Sequence, residues 1–321
     1  MPNLVHSITG GITATRIDVT EDFDAATMRC TIETDDACGA DVGDLLTVNF
    51  GLGTATKKFY GYIKSITRDR LSALVTLHLE DVLCRATEHW FVPEDLDNPW
   101  SRSNINAVDL VDDILNECGL SLYSWDTCSF TFATGNKDVE LSLTSAWDAI
   151  QWICEITGFS VYADTDGHVH FKDISPTPSG SPAETYTTGD SGNILSLEYS
   201  RSDDRLRNKV VVFGRPPAKA EASASSPYVP AGFYKTAIIS HEMIDTQQMA
   251  QDTADLNLAR LNRLTKIVRA KILGGGNVHI RDTVRITEGF SGLSNEDFFV
   301  RSLTHSFDTE GGYVMQITGV K

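Results

Sequence analysis

Three stretches near the start of the chain alternate apolar and polar side chains: LLTVNF (45–50), KFYGYIKSI (58–66) and LVTLHLEDV (74–82). A period of two puts every apolar side chain on one face of an extended strand, and that face must then be covered. The loops GLGTATK and RDRLSA separate the stretches, and no helical period competes before residue 82. This predicts a half-buried antiparallel sheet, folded as a small β-barrel or sandwich over residues 1–92.

The same pattern returns at the other end. Residues 281–320 read RDTVRITEGF, a Gly/Ser loop, FFVRSLTH, a DTEGG loop and YVMQITGV. Set against residues 43–82, Asp44 matches Asp282, Leu46 and Val48 match Val284 and Ile286, and Tyr62, Ile63, Ser65 and Ile66 match Phe299, Val300, Ser302 and Leu303. The shared order of an Asp, an aromatic pair and similar loops predicts a duplicated barrel.

The middle differs. Val108, Val111, Leu115 and Cys118 recur at helical spacing, with Asn106 and Asp109 as a capping pair and Gly119 as the stop. A second helix runs from a Ser145/Asp148 cap to Gly158, and SVYADTDGHVHF then reads as a hairpin turning at Asp166-Gly167. The segment PTPSGSPAE marks the next boundary, so residues 93–176 form a small α+β domain and residues 177–321 a second barrel. Within that second barrel one helix is expected at 246–264, capped by Asp245 and Gln248, with Ala250, Ala254, Leu258 and Leu261 on one face. The Ala/Ser/Pro-rich stretch 215–232 reads as a mobile loop. The fold class is thus mainly β with an α+β insertion.

Charge excludes some partners. The formal net charge is −17. Lys and Arg number 8 against 13 Asp and Glu in residues 1–92, 3 against 15 in 93–176, and 16 against 16 in 177–321. Phosphate recognition needs clustered cations along the sequence, and none is visible. Nucleic-acid binding and stable association with anionic membranes are therefore not expected. No apolar run approaches a membrane span, and MPNLVHSITGGITATRIDV has neither a basic n-region nor an apolar h-region. The six cysteines at 30, 38, 84, 118, 128 and 154 form no CxxC, and reduced thiols formed in a cytoplasm are expected.

Candidate chemistry is sparse. His168 and His170 share a strand face, but a mononuclear metal site needs a third ligand and no metal spacing lies beside them. His241-Glu242 lacks a second His four residues on, and His279 and His305 have no nucleophile motif nearby. GGGN at 274–277 lacks the GK[ST] ending and the following helix of a phosphate loop. Asp112-Asp113 and Asp203-Asp204 are adjacent and point apart. No catalytic, cofactor-binding or metal-binding residue is assigned, and no enzyme is expected.

Residues 137–174, KDVELSLTSAWDAIQWICEITGFSVYADTDGHVHFKDI, resemble a stretch typical of phage tail baseplate hub proteins, in which a Trp- or Leu-bearing helix precedes a Gly-aromatic turn into a hairpin. ILSLEYSRSDDRLRNKVVVFGR resembles the strand pair opening that family's second barrel, and the stretch from VRITEGF to MQITGV its last meander. Two departures stand out. Arg281-Asp282 replaces the family's Gly-Asp, and no spike or lysin module follows the second barrel. The resemblance implies two tail-tube-like barrels and a homotrimer whose barrels form a quasi-six-fold ring. That ring would join the tail tube protein to a central spike protein among other baseplate proteins, with DNA only passing through. It further implies a virion location, in the tail baseplate, after assembly in the host cytoplasm. The competing classes are a tail-associated cell-wall hydrolase and a receptor-binding or secretion-system structural protein. The charge partition predicts a channel wall richer in Asp and Glu than in Lys and Arg, with the excess drawn from residues 1–92.

Overall fold

The computed structural model describes residues 4–35, 39–71, 73–93, 99–134, 138–189, 192–263, 265–274 and 276–321. The chain opens with six strands, β1 (Leu4–Ile8), β2 (Ala14–Asp22), β3 (Arg29–Thr34), β4 (Leu45–Leu52), β5 (Thr56–Asp69) and β6 (Leu74–Asp81). They are ordered β1-β4-β5-β6-β3-β2 in space. Alternate residues such as Ile17, Val19, Ile32, Val48, Phe59 and Leu77 are buried in one core. The alternation in the sequence is this inward face.

Next come α1 (Cys84–Glu88), the short strands β7 (Trp90–Phe91), β8 (Trp100–Arg102) and β9 (Ile105–Asn106), and α2 (Ala107–Glu117). Then follow β10 (Leu122–Trp125), β11 (Thr131–Phe132), β12 (Val139–Leu141), β13 (Thr144–Ser145), α3 (Ala146–Thr157), β14 (Ser160–Ala163) and β15 (Val169–Lys172). The short strands pair as β7/β13, β8/β12 and β9/β11, and β10-β15-β14 make a small sheet. Two helix starts lie where the sequence places them. The Asn106 side chain accepts from Val108 N, the Ser145 hydroxyl accepts from Asp148 N at 3.0 Å, and Gly158 ends α3 in the left-handed region at φ +73°.

The last part contains β16 (Glu184–Thr187), β17 (Ile194–Ser202), β18 (Lys209–Phe213), β19 (Lys219–Ser223), β20 (Thr236–Ser240), α4 (Gln247–Leu261), β21 (Thr265–Leu273), β22 (Thr283–Glu288), β23 (Leu293–Asp308) and β24 (Gly312–Val320). Six of these are ordered β16-β22-β23-β24-β21-β17, which repeats the first barrel strand for strand. The registers agree as well. Leu46 faces Gly61 as Val284 faces Phe298, and the ladder slips between Ile63 and Ser65 as it does between Val300 and Ser302. One difference is that β1 runs antiparallel to β4, whereas β16 runs parallel to β22. The barrels are fused: the second half of β23 pairs with β2, so one sheet runs unbroken from β1 to β17.

Three features differ from the sequence reading. The stretch 215–232 contains β19, where Ala220 and Ala222 turn small side chains inward and lysine, glutamate and serine outward. Helix α4 is capped by Thr246, whose hydroxyl accepts from Met249 N at 3.1 Å, because the Asp245 carboxylate is turned away to accept from Thr134 N at 2.9 Å. The helix ends at Leu261, and residue 264 lies outside the described residues. Finally, α4 and the β19-β18-β20 sheet pack into the same core as α2 and α3: Val210, Val212, Met249 and Ala250 join Ile114, Ile150 and Ile153. In chain order this unit interrupts the second barrel at the place of the β2–β3 turn.

Candidate assembly interface

The sharpest local feature recurs in both barrels. At the entry to β4, Gly43 N donates to Ile63 O at 2.8 Å and Ile63 N to Asp44 O at 2.9 Å; at the entry to β22, Arg281 N donates to Val300 O and Val300 N to Asp282 O, both at 2.8 Å. The Asp44 carboxylate accepts from Asp41 N and that of Asp282 from His279 N, each at 2.8 Å. An aspartate is needed because a short carboxylate can close its own turn on the backbone three residues back. The residue before it has a positive φ, +93° at Gly43 and +79° at Arg281. Glycine adopts that conformation freely and arginine does not.

Arg281 uses its side chain at the seam. Its guanidinium lies 3.6 Å from the centroid of the Tyr162 ring and 5.5 Å from that of Phe23, so it touches the middle domain and the first barrel at once. Around it lie other buried polar groups. Glu21 accepts from Ile280 N at 3.4 Å and faces His279 Nδ1 at 3.3 Å, and Lys58 Nζ donates to Gly276 O at 3.2 Å. His305 Nδ1 meets the Tyr313 hydroxyl at 2.7 Å, and burial holds its pKa well below the ordinary value. Asp81 accepts from Met28 N at 2.7 Å and Leu83 N at 2.9 Å, yet burial pushes its pKa up to about 7.

Neither barrel is a pore. Phe50, Phe59, Phe307 and Tyr313 fill the first, and Phe298, Val300, Met315 and Ile286 the second. The opposite face of the sheet is polar and continuous across the fusion. One row crosses Glu80, Arg29, Thr20, Thr304, Gln316, Lys271 and Ser196. Ion pairs Arg16–Asp18 (2.8 Å), Arg29–Glu80 (3.5 Å) and Arg269–Glu198 (3.2 Å) lie along it. The continuous path of the sheet ends in β1 and β17, and these two and the off-path strand β16 each have one strand neighbour among the described residues. None of the nine residues of β17 is buried, and Leu195 is 53% exposed.

The histidines flagged in the sequence go to structural tasks. His170 Nε2 lies 3.0 Å from Asp164 Oδ2, its Nδ1 2.8 Å from the Ser124 hydroxyl, and His168 stacks on Tyr123 at 3.9 Å. The Ser124–His170 bond pins β10 to β15 where their register slips. Asp164, Asp166 and His168 come close enough together to hold a cation, supplying the further ligands that the linear sequence did not show. Their oxygens are engaged already: Asp164 Oδ1 accepts from Asp166 N and His168 N, and Asp166 pairs with Lys57 at 2.8 Å. His241 Nδ1 accepts from Met243 N at 3.1 Å. Asp113 pairs with Arg102 at 2.6 Å while Asp112 accepts from Leu122 N at 2.8 Å; Asp203 pairs with Lys235, and Asp204 accepts from Arg207 through its carbonyl and donates its N–H to the Ser202 hydroxyl. Neither acidic pair converges. At the GGGN turn, Gly274 N donates to Tyr313 O at 2.9 Å, and residue 275 lies outside the described residues. Cys30, Cys84, Cys118, Cys128 and Cys154 are free of disulfides, and Cys38 lies outside the described residues.

Solved structures share this fold. A tail protein from Neisseria meningitidis superposes with a TM-score of 0.73 at 14% identity, covering 99% of this chain and 97% of that one. The 43 kDa tail protein of prophage MuSo2 from Shewanella oneidensis gives 0.69 at 15% identity over 100% and 98% of the two chains. The fold is the phage tail-protein fold. It extends to secretion machines: a type VI secretion component from E. coli, itself described as similar in structure to T4 bacteriophage tail proteins, matches with a TM-score of 0.59 at 11% identity over 98% and 76%. No protein-family model matches the sequence, nor does any curated protein. Among the described residues no helix of this tail-protein fold is long and apolar enough to cross a membrane.

Proposed function

We propose that the chain is a non-enzymatic structural hub of a phage tail baseplate. Three copies would close into a quasi-six-fold ring between the hexameric tail tube and a three-fold central spike. The observation that carries this reading is the fused duplicate barrel, whose continuous path of strands ends in the open edges β1 and β17. A nine-residue edge with an exposed leucine invites strand pairing unless something covers it. Joining β17 of one copy to β1 of the next is a head-to-tail contact, and such contacts form closed rings when the rotation closes. With two barrels per chain, three copies present six similar units to the tube and a three-fold face to the spike.

Because both barrels are filled, the channel lies between protomers, walled by the polar face of the sheet. On the first barrel that face carries Asp18, Asp22, Glu33 and Glu80 against Arg16 and Arg29. The acidic excess repels DNA in passage at short range, within about 8 Å at physiological ionic strength. Tube protein, spike and other baseplate proteins are the partners, and the virion baseplate, assembled in the host cytoplasm, is the location. Mass measurement with electron microscopy of the assembled protein tests this: three-fold particles with a central pore are expected. A stable dimer, or a ring with a Lys/Arg-rich bore, would contradict the trimer or the wall respectively.

A further inference from the structure

Although the chain is strongly acidic, one cleft of about 370 Å³ between α3, α4 and the two barrels gathers Arg205, Arg260, Arg263, Arg301 and Lys321. The acids in its wall are Asp24 and Glu155. Partners are unevenly shared. Arg301 pairs with Asp24, Arg260 reaches Asp173 at 3.1 Å, and Lys321 pairs with Glu296 at 2.5 Å. Arg263 has a carbonyl instead of a carboxylate, donating to Pro176 O at 3.1 Å, and Arg205 has no ion-pair partner among the described residues. Arg263 is also partly buried beside the like-charged Arg260, and both effects lower its pKa. A guanidinium with several N–H groups unspent, next to another cation and out of full water contact, is stabilised by an incoming carboxylate.

We propose that this cleft binds an acidic, partly apolar peptide segment of a partner protein, its carboxylates held by Arg205, Arg260 and Arg263. Arginine forks match carboxylates two bonds at a time, which suits side chains presented along a peptide. The rest of the wall favours a peptide over a phosphate ligand: Trp147, Phe159 and Leu261 offer apolar surface beside the cations. A duplex is too wide to enter, and a bare polyphosphate leaves the aromatic surface unused. The wall draws on α3, α4, the β2–β3 turn and the C-terminal strands, so an occupant would tie all three parts of the fold together. The cleft opens beside the C-terminal end of β17, where its wall residue Thr265 pairs with Ser202, but peptide binding is read on the single chain, so the proposal goes beyond the ring and does not depend on it.

The test is fluorescence anisotropy of the full chain with a fluorescein-labelled hexapeptide of alternating glutamate and leucine. Saturable binding at low ionic strength that weakens with added salt is expected, and the lysine–leucine counterpart should not bind. Arg263→Gln and Arg205→Ala should each weaken binding about ten-fold, the scale of a hydrogen bond to a charged group. Arg16→Ala, on the sheet face, should leave it unchanged. Arg205 is exposed, so its variant keeps the test decisive if Arg263→Gln lowers the melting temperature. No saturable binding, or equal binding by both cleft variants, overturns the proposal. Displacement of the peptide by tripolyphosphate or by a short DNA duplex at lower concentration than by unlabelled peptide also overturns it, since the site would then read phosphate.

Discussion

Arg281 has a left-handed backbone, φ +79°, at the position where the first barrel has Gly43. Side-chain-bearing residues pay of order 1 kcal/mol there, and the contact with Tyr162 offsets it. Replacing Arg281 by Ala keeps the strain and discards the contact, whereas Arg281→Gly removes both. Chemical denaturation should therefore find the Ala variant about 1 kcal/mol less stable than the Gly variant. Equal losses would mean that the backbone is relaxed. Asp81 gives a pH dependence with a defined sign. Its folded pKa of about 7 lies above its ordinary value near 3.8, so the native state holds its proton more tightly. Its stabilising contribution is then complete in acid and declines as pH rises toward and through 7. The stability gap between the parent protein and Asp81→Ala should be wider at pH 4.5 than at pH 8; a gap that widens with pH would reverse the assignment.

Single elements show where local chemistry was decisive and where it was not. The α4 cap is Thr246, so Thr246→Ala should lower stability by about 1 kcal/mol in thermal or denaturant unfolding. A negligible loss would point back to Asp245. Asp245 and Thr246 are equally good caps on paper. What decides between them is Thr134, more than a hundred residues earlier, whose N–H captures the aspartate. The Asn106 and Ser145 caps, by contrast, were legible because their hydrogen bonds close within three residues. The repeat was legible for a similar reason: each register match is carried by a turn aspartate, a period of two and a bulge, all local. β19 was hidden because alanines give too little hydropathy contrast to mark an inward face. The cationic cleft was hidden because its arginines come from segments widely separated in sequence.

For the whole molecule, Leu195 on β17 separates folding from assembly. Leu195→Lys alters an exposed side chain, so the isolated protomer should keep its stability within about 0.5 kcal/mol. Light scattering should find the proposed trimer lost, because lysine on an edge strand discourages strand pairing. A trimer that survives would place the contact elsewhere. β23 has a mechanical consequence. One unbroken strand of 16 residues serves both barrels, its first half against β22 and its second against β2, with β24 alongside from Phe299 to Asp308. A load applied to one barrel is thus borne as shear by many backbone hydrogen bonds at once, with no linker to stretch first. In the proposed ring each protomer would tilt as a single rigid lever, and opening would act at the joints between copies.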